Sequence, residues 1–296
     1  MQGKKCGFVA LVGRPSAGKS TLLNRMCGEK VAIVSGMPQT TRNAIRGIVN
    51  REQGQLVFID TPGRHGSQKK FNRKLMDVSA RAMNECDLVL YVMDSSRAPG
   101  AEEEEIAALL APLQDRTIAA VNKIDAVGND LKRASDFLLA HLPALAQERC
   151  FGISAVTGQG VDELLCALYA MAPEGEAHYG KEYYTDQETG FRIGEIIRGQ
   201  AIVRLHQELP HSLYVEIADM KYEEPKLWVR AFIVVERESQ KGIVVGKGGE
   251  MIRAIRLAAL KELKTIFDWK IDLDLRVKAA RDWRHNDRTL RRIIGR

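Results

Sequence analysis

The sequence predicts an α/β domain with a mostly parallel sheet, followed by a smaller α+β domain. Two observations predict this class. Over residues 1–172, short apolar runs alternate with longer stretches of helical periodicity, and turns rich in glycine or aspartate follow the runs. After a polar segment at 173–184, the pattern changes to a helix, two strands, two helices and a strand. Strands that alternate with helices form a parallel sheet with helices on both faces, and such folds bind ligands at the carboxyl ends of their strands.

Five apolar runs of the first domain are predicted to be buried strands, and three further segments are predicted to be helices. The predicted strands are Gly7–Val12, Leu56–Ile59, Leu88–Met93, Thr117–Val121 and Cys150–Ile153. The predicted helices are Ser20–Met26, Lys69–Asn84 and Val161–Met171. In the last helix the apolar side chains fall on one face, which is typical of a helix that packs on a sheet.

A linker separates the two domains. The segment PEGEAHYGKEYY at 173–184 breaks the alternating pattern, so we assign 1–172 to the first domain, 173–190 to the linker and 191–296 to the second domain. The second domain is predicted to contain a helix at 191–208, strands at 213–218 and 227–236, two helices that flank glycines at 246–249, and a strand at 270–277. This order suits a three-stranded sheet covered by one layer of helices.

Charge is distributed unevenly along the 296 residues, whose formal net charge is +6. Residues 1–179 are nearly neutral, whereas 180–296 hold 23 Lys and Arg against 18 Asp and Glu. The closing segment 276–296 has eight basic residues against two acidic ones. A basic half predicts a polyanionic partner, and charge alone leaves nucleic acid, an anionic membrane surface and a merely solvated tail open.

The cysteines and the N-terminus indicate a reducing compartment. Neither a disulfide framework nor a zinc site is expected, because no CxxC or Cys/His spacing occurs around Cys6, Cys27, Cys86, Cys150 and Cys166. Residues 1–5 lead directly into a strand-like segment without the apolar core of a signal peptide. The apolar runs are too short to span a bilayer. We therefore expect a cytosolic protein that contacts a membrane at most from outside.

The segment GRPSAGKS at 13–20 fits the phosphate-binding pattern G-x-x-x-x-G-K-[ST], and it lies between a predicted strand and a predicted helix, as that loop requires. Its glycines let backbone N–H groups curl around a phosphate, and the following helix adds the positive potential of its N-terminus. Lys19 is expected to reach the β- and γ-phosphates, and the Ser20 hydroxyl to bind Mg²⁺. The residues assigned to nucleotide binding here are Gly13, Arg14, Pro15, Ser16, Ala17, Gly18, Lys19, Ser20 and Thr21.

A second motif, NKID at 122–125, follows an apolar strand and therefore lies at the same edge of the sheet. The carboxylate of Asp125 can accept two hydrogen bonds at once, from the ring N–H and the exocyclic amine of guanine, and adenine offers no such pair. If the wrong base would leave a buried polar group of the site without a hydrogen-bond partner, the site rejects that base strongly. After the last strand, a backbone N–H can reach the guanine carbonyl oxygen. The predicted base-binding residues are Asn122, Lys123, Asp125, Ser154 and Ala155.

The remaining phosphate-side residues lie in two loops. The motif DTPG at 60–63 ends another apolar strand, where Asp60 can hold the Mg²⁺ shell and the N–H of Gly63 can sense the γ-phosphate. In the segment QTTR at 39–42, Thr41 can complete the Mg²⁺ coordination only while the γ-phosphate is present, and such ordering and release makes a switch. The sequence therefore predicts catalytic roles for Lys19, Thr41 and Gly63, nucleotide contacts from Asp60, Thr61, Pro62 and Gly63, and Mg²⁺ ligands at Ser20, Thr41 and Asp60.

A glycine turn, GKGG at 246–249, joins two predicted helices of the second domain. KH modules use a GxxG turn of this kind to clamp the backbone of single-stranded nucleic acid. Alone the turn is a weak motif and also suits a plain helix–helix connection. Its place in an α-β-β-α-α-β order, with basic residues around it, favours RNA. The predicted RNA-binding residues are Lys241, Gly246, Lys247, Gly248, Gly249 and Arg253.

Together these motifs resemble the bacterial Era GTPases over essentially the whole chain. The resemblance covers GRPSAGKST, PQTTR, DTPG, NKID and SA in the first domain, and SQKGIVVGKGGEMI and LRVKAARDWR in the second. It implies a P-loop GTPase domain followed by a KH domain of the second topological type, with Mg²⁺ as cofactor and in-line attack of water on GTP. It further implies binding near the 3′ end of small-subunit (16S) ribosomal RNA during maturation of the 30S subunit, and peripheral association with the inner membrane. We expect a monomer.

Three residues depart from the family pattern. Ser16 stands where similar GTPases have an Asn that helps hold an activating potassium ion, so potassium dependence does not follow from the resemblance. Arg64 follows DTPG in place of an apolar residue, and the Gln that some GTPases use to orient water is absent, so slow intrinsic hydrolysis is expected. Arg256 stands where the family usually has Gly, which adds charge beside the GKGG turn.

Three other functions compete with a GTP-hydrolysing RNA-binding switch. An RNA-binding module with a purely structural nucleotide site would bind GTP without turnover, and the intact Lys19, Ser20, Thr41 and Asp60 argue against it. The main alternative is a membrane-associated regulatory GTPase that uses its basic C-terminus on anionic lipid. The context of the GxxG turn, and the lack of a basic amphipathic helix with exposed aromatics, disfavour this alternative. A phosphate-transferring kinase is the weakest, because NKID commits the site to guanine.

Overall fold

The computed structural model describes residues 3–34, 45–60, 82–205 and 209–281, and the single residues Trp283, Asn286 and Thr289. Contacts within the chain divide it into two compact units, and the division falls between Asp186 and Gln187. All five cysteines lie among the described residues as free thiols. Within the described ranges, no helix combines the length and the apolar character that crossing a bilayer requires.

The described part of the first unit contains a six-stranded sheet. Its strands are β1 (Lys5–Val12), β2 (Ile45–Arg51), β3 (Gly54–Asp60), β4 (Leu88–Asp94), β5 (Thr117–Asn122) and β6 (Cys150–Ile153). Their spatial order is β2-β3-β1-β4-β5-β6, and every neighbouring pair is parallel except β2 with β3. The helices are α1 (Lys19–Cys27), α2 (Ala101–Leu110), α3 (Leu131–His141) and α4 (Val161–Met171). The predicted mostly parallel sheet is therefore confirmed.

Both faces of this sheet are buried. Along β1, Val9 and Leu11 pack into one apolar cluster with α1 and α4, whereas Ala10 and Val12 pack into a second cluster with α2 and α3. Every residue of β4 is buried. Strands covered on both faces are continuous apolar runs rather than alternating ones, which is why the sequence identified them. Their carboxyl ends all open at one edge, and the loops that leave this edge carry the motifs.

The predicted elements of the first unit agree with the structure within a few residues, with two kinds of exception. The sequence did not identify the edge strand β2, because Arg46, Gly47 and Asn50 interrupt its apolar pattern. Nor did it name α2, in which four consecutive glutamates follow Ala101, or α3. Of the predicted helix Lys69–Asn84, residues 69–81 lie outside the described part, and residues 82–85 are helical.

The segment that follows α4 is attached to the first unit. Gln55 is buried, and its amide contacts the backbone of His178 and Tyr179 at 2.8 to 3.0 Å. The backbone N–H of Ile48 in β2 donates to the carbonyl of Tyr184 at 2.9 Å. At the end of the segment, Arg46 of β2 forms an ion pair with Asp186 at 2.7 Å. The part of the expected linker up to residue 186 thus runs along the sheet edge.

The second unit contains a three-stranded sheet with helices on one face. The helices are α5 (Thr189–Arg204), α6 (Leu209–Ser212), α7 (Glu238–Val245) and α8 (Glu250–Ile266), and the strands are β7 (Tyr214–Glu223), β8 (Lys226–Val235) and β9 (Lys270–Ala279). The central strand β8 pairs antiparallel with β7 and parallel with β9. The predicted order α-β-β-α-α-β is confirmed, with α6 as an addition.

The core of the second unit lies between the helices and one face of the sheet. Leu227, Val229, Ala231 and Ile233 alternate along β8 and pack against α5 and α8. The predicted helix 191–208 begins two residues earlier and ends at Arg204, and residues 206–208 lie outside the described part. Val244 of α7 and Met251 of α8, on either side of the glycine turn, pack into the same core.

Candidate functional site

The phosphate-binding loop connects β1 to α1 at the carboxyl edge of the parallel strands. Close contacts require its two glycines. A Cβ at Gly13 would lie 2.3 Å from the carbonyl oxygen of Val92, and a Cβ at Gly18 would lie 2.2 Å from Nδ2 of Asn122. Gly18 also has a φ of 99° and is the N-cap of α1. The loop can therefore present backbone N–H groups and a helix N-terminus to a phosphate.

The other side chains of this loop differ in exposure. Pro15 and Ala17 are buried, and Thr21 is half-buried in the first turn of α1. Ser16 is exposed and has a φ of 63°, in the left-handed region that non-glycine residues seldom adopt. Arg14 is buried, and its guanidinium forms an ion pair with Glu103 of α2. The prediction that the loop forms between strand and helix is confirmed, whereas the orientation of Arg14 was not foreseen.

The amine of Lys19 lies inside the loop. It donates to the carbonyl oxygens of Gly13 at 2.8 Å and of Arg14 at 3.0 Å. Burial lowers the pKa of Lys19 from 10.5 to about 8, and the nearby carboxylates of Asp60 and Glu102 partly oppose this shift. A buried amine held by two loop carbonyls is positioned to meet phosphate oxygens that enter the loop.

Ser20 and Asp60 provide adjacent oxygen atoms. The hydroxyl of Ser20, in the first turn of α1, donates to Oδ2 of Asp60 at 2.7 Å, and Asp60 ends β3 without solvent exposure. A hydroxyl beside a carboxylate is a donor set that Mg²⁺ prefers. The other predicted phosphate-side residues lie outside the described part of the chain: Thr41, Thr61, Pro62 and Gly63, with Arg64.

Asn122 joins the phosphate-binding loop to the loop after β6. Its Nδ2 donates to the carbonyl oxygen of Ala17 at 2.8 Å, and its Oδ1 accepts from the backbone N–H of Ala155 at 3.0 Å. The side chain is buried, so both hydrogen bonds are shielded from water. Three loops that the sequence assigned to one nucleotide are therefore in direct contact.

The neighbours of Asn122 shape the base side of the site. Lys123 has a φ of 69° and donates from Nζ to Oδ2 of Asp94 at 2.7 Å. Asp125, the predicted acceptor of the guanine hydrogen bonds, is exposed in the loop after β5. Ser154 is buried, and its hydroxyl accepts from the backbone N–H of Thr157, which shapes the turn after β6.

Three residues that the sequence did not single out support these loops. Asp94 ends β4 and is buried, and although burial opposes it, hydrogen bonds from Lys123 and Ser96 lower its pKa. Glu103 of α2 is buried beside Arg14. Arg25 of α1 donates to the carbonyl oxygens of Ala155 and Val156. Asp94 had a usable signal, a carboxylate at the carboxyl end of a buried strand, whereas Glu103 and Arg25 had none.

The GKGG turn of the second unit lies between α7 and α8. Gly246, Gly248 and Gly249 have φ values of 75°, 60° and 82°, and a Cβ at Gly246 would lie 2.7 Å from Cβ of Met251. Gly249 is the N-cap of α8. Lys247 is exposed at the tip of the turn. The turn therefore presents a cation and the N-terminus of a 17-residue helix on one side of the unit.

The basic residues near this turn do not all point toward it. Lys241 forms an exposed ion pair with Glu238 at 3.1 Å, and Arg253 is exposed on α8. Arg256 donates from Nε to the carbonyl oxygen of Leu273 at 2.5 Å and lies 3.5 Å from Asp272. Arg256 thus attaches α8 to β9, and its charge is partly neutralised there rather than presented beside the turn.

Comparison with known proteins gives a consistent result for both units. Residues 8–123 match the family described as 50S ribosome-binding GTPase, and residues 208–284 match the KH domain family. GTPase Era of Treponema denticola is 50% identical over 289 residues, which cover 97% of this chain and 98% of the relative. GTPase Era of Borreliella burgdorferi is 43% identical over 291 residues, which cover 98% of this chain and 100% of the relative.

Two solved structures also match nearly the whole chain. A crystal structure of an Aquifex aeolicus Era variant bound to GDP and AlF4⁻ has a TM-score of 0.92 at 32% identity, and the match covers 98% of this chain and 99% of that one. Era in complex with MgGDPNP and nucleotides 1506–1542 of 16S ribosomal RNA has the same TM-score and identity, with 99% of both chains covered.

Proposed function

This chain belongs to the Era family of GTPases, and on that premise we propose that its GTP hydrolysis controls its binding to small-subunit (16S) ribosomal RNA during maturation of the 30S subunit. One observation supports this most strongly. The Era structure that holds both MgGDPNP and 16S ribosomal RNA nucleotides covers 99% of this chain. In the proposal, residues 1–172 bind GTP, 173–190 link the domains, and 191–296 bind RNA, and the protein acts in the cytoplasm as a monomer.

The nucleotide is bound at the carboxyl edge of the parallel sheet. Backbone N–H groups of residues 13–18 surround the phosphates, and the amine of Lys19 offsets the charge that develops as water attacks the γ-phosphate in line. The base lies against the NKID loop, where Asp125 accepts from guanine while Asn122 keeps that loop in register with the phosphate loop. Thr41 and Gly63 are proposed to respond to the γ-phosphate.

Mg²⁺ fits the oxygen donors beside Lys19. Ser20 and Asp60 lie 2.7 Å apart and would hold the ion, with Thr41 as a further ligand. When bound, Mg²⁺ neutralises charge on the phosphate oxygens. The hydrogen bond between Ser20 and Asp60 holds both oxygens at the phosphate end of the site.

RNA is bound by the GKGG turn and the start of α8. The positive φ values of three glycines remove side chains from the surface that a phosphate must approach, and Lys247 supplies the charge there. Lys241 and Arg253 contribute from the flanking helices.

The test measures GTP turnover at varied Mg²⁺, with and without an oligonucleotide that copies the 3′ end of 16S ribosomal RNA. Wild type is compared with Gly249→Asp, which adds a negative charge where no atom lies within 4 Å of a Cβ, at a left-handed φ of 82° that Asp adopts more readily than most residues. A scrambled oligonucleotide is the control for general charge effects. We expect RNA-stimulated turnover that the substitution abolishes, with basal turnover unchanged.

Two results separate the parts of the proposal. If the oligonucleotide neither binds nor changes the rate of GTP turnover, the GTPase assignment stands and the proposed RNA role is overturned. Cosedimentation with purified ribosomal subunits tests the partner, and binding to 50S rather than 30S subunits would overturn the assignment to the small subunit. Flotation with anionic vesicles in place of RNA binding would favour the membrane alternative.

A further inference from the structure

The side chain of Arg14 points away from the space that the phosphate-binding loop encloses. Its Nε lies 2.8 Å from Oε1 of Glu103, and an Nη group donates to Oε2 of Glu103 at 3.3 Å and to the carbonyl oxygen of Ala98 at 3.4 Å. Arg14 and Glu103 are 5% and 2% exposed. The loop is therefore attached to the first turn of α2 by a buried ion pair with two points of contact.

The backbone of the same residue holds the catalytic amine. The carbonyl oxygen of Arg14 accepts from Nζ of Lys19 at 3.0 Å and from the backbone N–H of Ala17 at 3.3 Å. Moving the Arg14 peptide would therefore move an acceptor of Lys19. The ion pair between the Arg14 side chain and Glu103 restrains the same peptide.

Asp94 connects this attachment to the base side of the site. Its Oδ2 lies 3.7 Å from an Nη of Arg14 and 2.7 Å from Nζ of Lys123, while Oδ1 accepts from the backbone and the hydroxyl of Ser96. One buried carboxylate is thus shared by a cation from the phosphate loop and a cation from the NKID loop. A shift of the Arg14 guanidinium would therefore change the contacts of Asp94 with both loops.

A buried ion pair adds little net stability, because the cost of removing both charges from water offsets their attraction. Its fixed geometry has a different consequence. A loop that already holds its donors in the binding arrangement loses less entropy when the ligand arrives. Catalytic donors held in place likewise need no reorganisation during the reaction.

We propose that Arg14 is a positioning residue, which anchors the phosphate-binding loop to Glu103 and thereby holds the amine of Lys19 where the nucleotide phosphates bind. This role concerns the nucleotide site alone and does not depend on RNA binding. Arg14 itself does not contact the phosphates through its side chain. Its contribution passes through its own carbonyl to Lys19.

The experiment separates positioning from stability in the full chain. Removing one charge would leave the other buried and unpaired, so the main variant removes both, Arg14→Met with Glu103→Leu, which should fold. A second variant, Arg14→Lys, keeps the charge but loses the fork of donors. The control is Arg133→Gln, which breaks an exposed ion pair with Asp130 in the same unit. Thermal unfolding without nucleotide and GDP affinity are measured for each, alone and combined with Lys19→Ala.

In the charge-free variant, Arg14→Met with Glu103→Leu, we expect the unfolding temperature to stay near that of the wild type. We expect it to bind GDP about ten- to a hundredfold more weakly, as when a charge-assisted contact is lost. In the Lys19→Ala background this weakening should disappear, because Arg14 then has no amine to position. Wild-type GDP affinity in the folded charge-free variant would overturn the proposal. An equal weakening with and without Lys19 would also overturn it. Should the charge-free variant not fold, the same two comparisons are made with Arg14→Lys.

Discussion

The side-chain amide of Asn122 donates a 2.8 Å hydrogen bond to the carbonyl oxygen of Ala17, although the two residues are 105 positions apart in the sequence. The same side chain accepts from Ala155. One buried amide therefore sets the distance between the loop predicted to receive the phosphates and the two loops predicted to receive the base. The spacing of the nucleotide site is built around it.

Replacing Asn122 by Ala should weaken GDP and GTP binding by about ten- to a hundredfold, because the carbonyl of Ala17 and the N–H of Ala155 would each lose a buried partner. Fluorescence titration with a labelled guanine nucleotide measures this. Gln114→Ala serves as the control, since Gln114 also uses its amide to join two loops of the first unit but lies away from the site. Equal affinity of Asn122→Ala and Gln114→Ala would contradict the prediction.

GDP affinity should fall as the pH rises above about 8, the value to which burial lowers the pKa of Lys19. Bound phosphates favour the charged amine, so binding takes up a proton in this range, and affinity drops by up to about tenfold for each pH unit. Titrations from pH 7 to pH 9.5 without Mg²⁺ measure it. Lys19→Ala is the control, because the titration of guanine itself affects both proteins alike. A parallel decline in both proteins would mean that Lys19 does not titrate here.

The nucleotide-free protein should respond to pH in the opposite direction. The folded pKa of Lys19 lies below its value of 10.5 in the unfolded chain, so between about pH 8 and 10.5 the unfolded chain binds more protons. The contribution of Lys19 to the free energy of unfolding therefore rises with pH across this window. Urea unfolding at several pH values, compared between wild type and Lys19→Ala, isolates that contribution.

Lys247→Ala should weaken RNA binding and reduce the slope of log affinity against log salt by about 0.7, the value for one lost contact to a single-stranded phosphate. Its exposed position at the tip of the GKGG turn is the reason. Binding of the 16S oligonucleotide is measured from 50 to 300 mM salt. Lys264→Ala, which removes an exposed lysine from the last turn of α8, is the matched control and should leave the slope unchanged.

A fragment that ends at residue 186 should be more stable than one that ends at residue 172. The longer fragment keeps the hydrogen bonds that Gln55, Asn50 and Ile48 make with the segment after α4. These residues make six such bonds, so at about 0.5–1 kcal/mol for each bond the difference amounts to roughly 3–6 kcal/mol, or on the order of ten degrees in melting temperature.

The amide of Gln55 provides the internal control for that comparison. Gln55→Ala should destabilise the fragment 1–186, in which the amide is buried against His178 and Tyr179, and should have little effect on 1–172, in which those partners are missing. Equal melting temperatures of the two fragments would place the domain boundary at 172, where the sequence put it.

Much of the site could be predicted from the sequence, because its chemistry is local. A phosphate loop needs glycines at fixed positions, since a Cβ at Gly18 would collide with Asn122. These glycines lie within the eight consecutive residues 13–20, so the motif can be recognised without the fold. The strands were recognisable for a related reason. Burial on both faces leaves continuous apolar runs, whereas the edge strand β2 has polar interruptions and was missed.

The sequence by itself determined the two domain types, the main strands of the parallel sheet and the α-β-β-α-α-β order of the second domain, and it predicts which residues contact a guanine nucleotide or RNA. Only the tertiary structure decided where Arg14 points, which carboxylate Lys123 contacts, and that Arg256 binds β9 rather than standing beside the turn. These outcomes depend on partners 17 to 89 residues away. A charged side chain can reach in several directions from its Cα, and its local sequence does not select among them. For the buried Arg14 the fold selects the direction, because a buried cation must meet a carboxylate, and the packing of α2 on the sheet has placed Glu103 there.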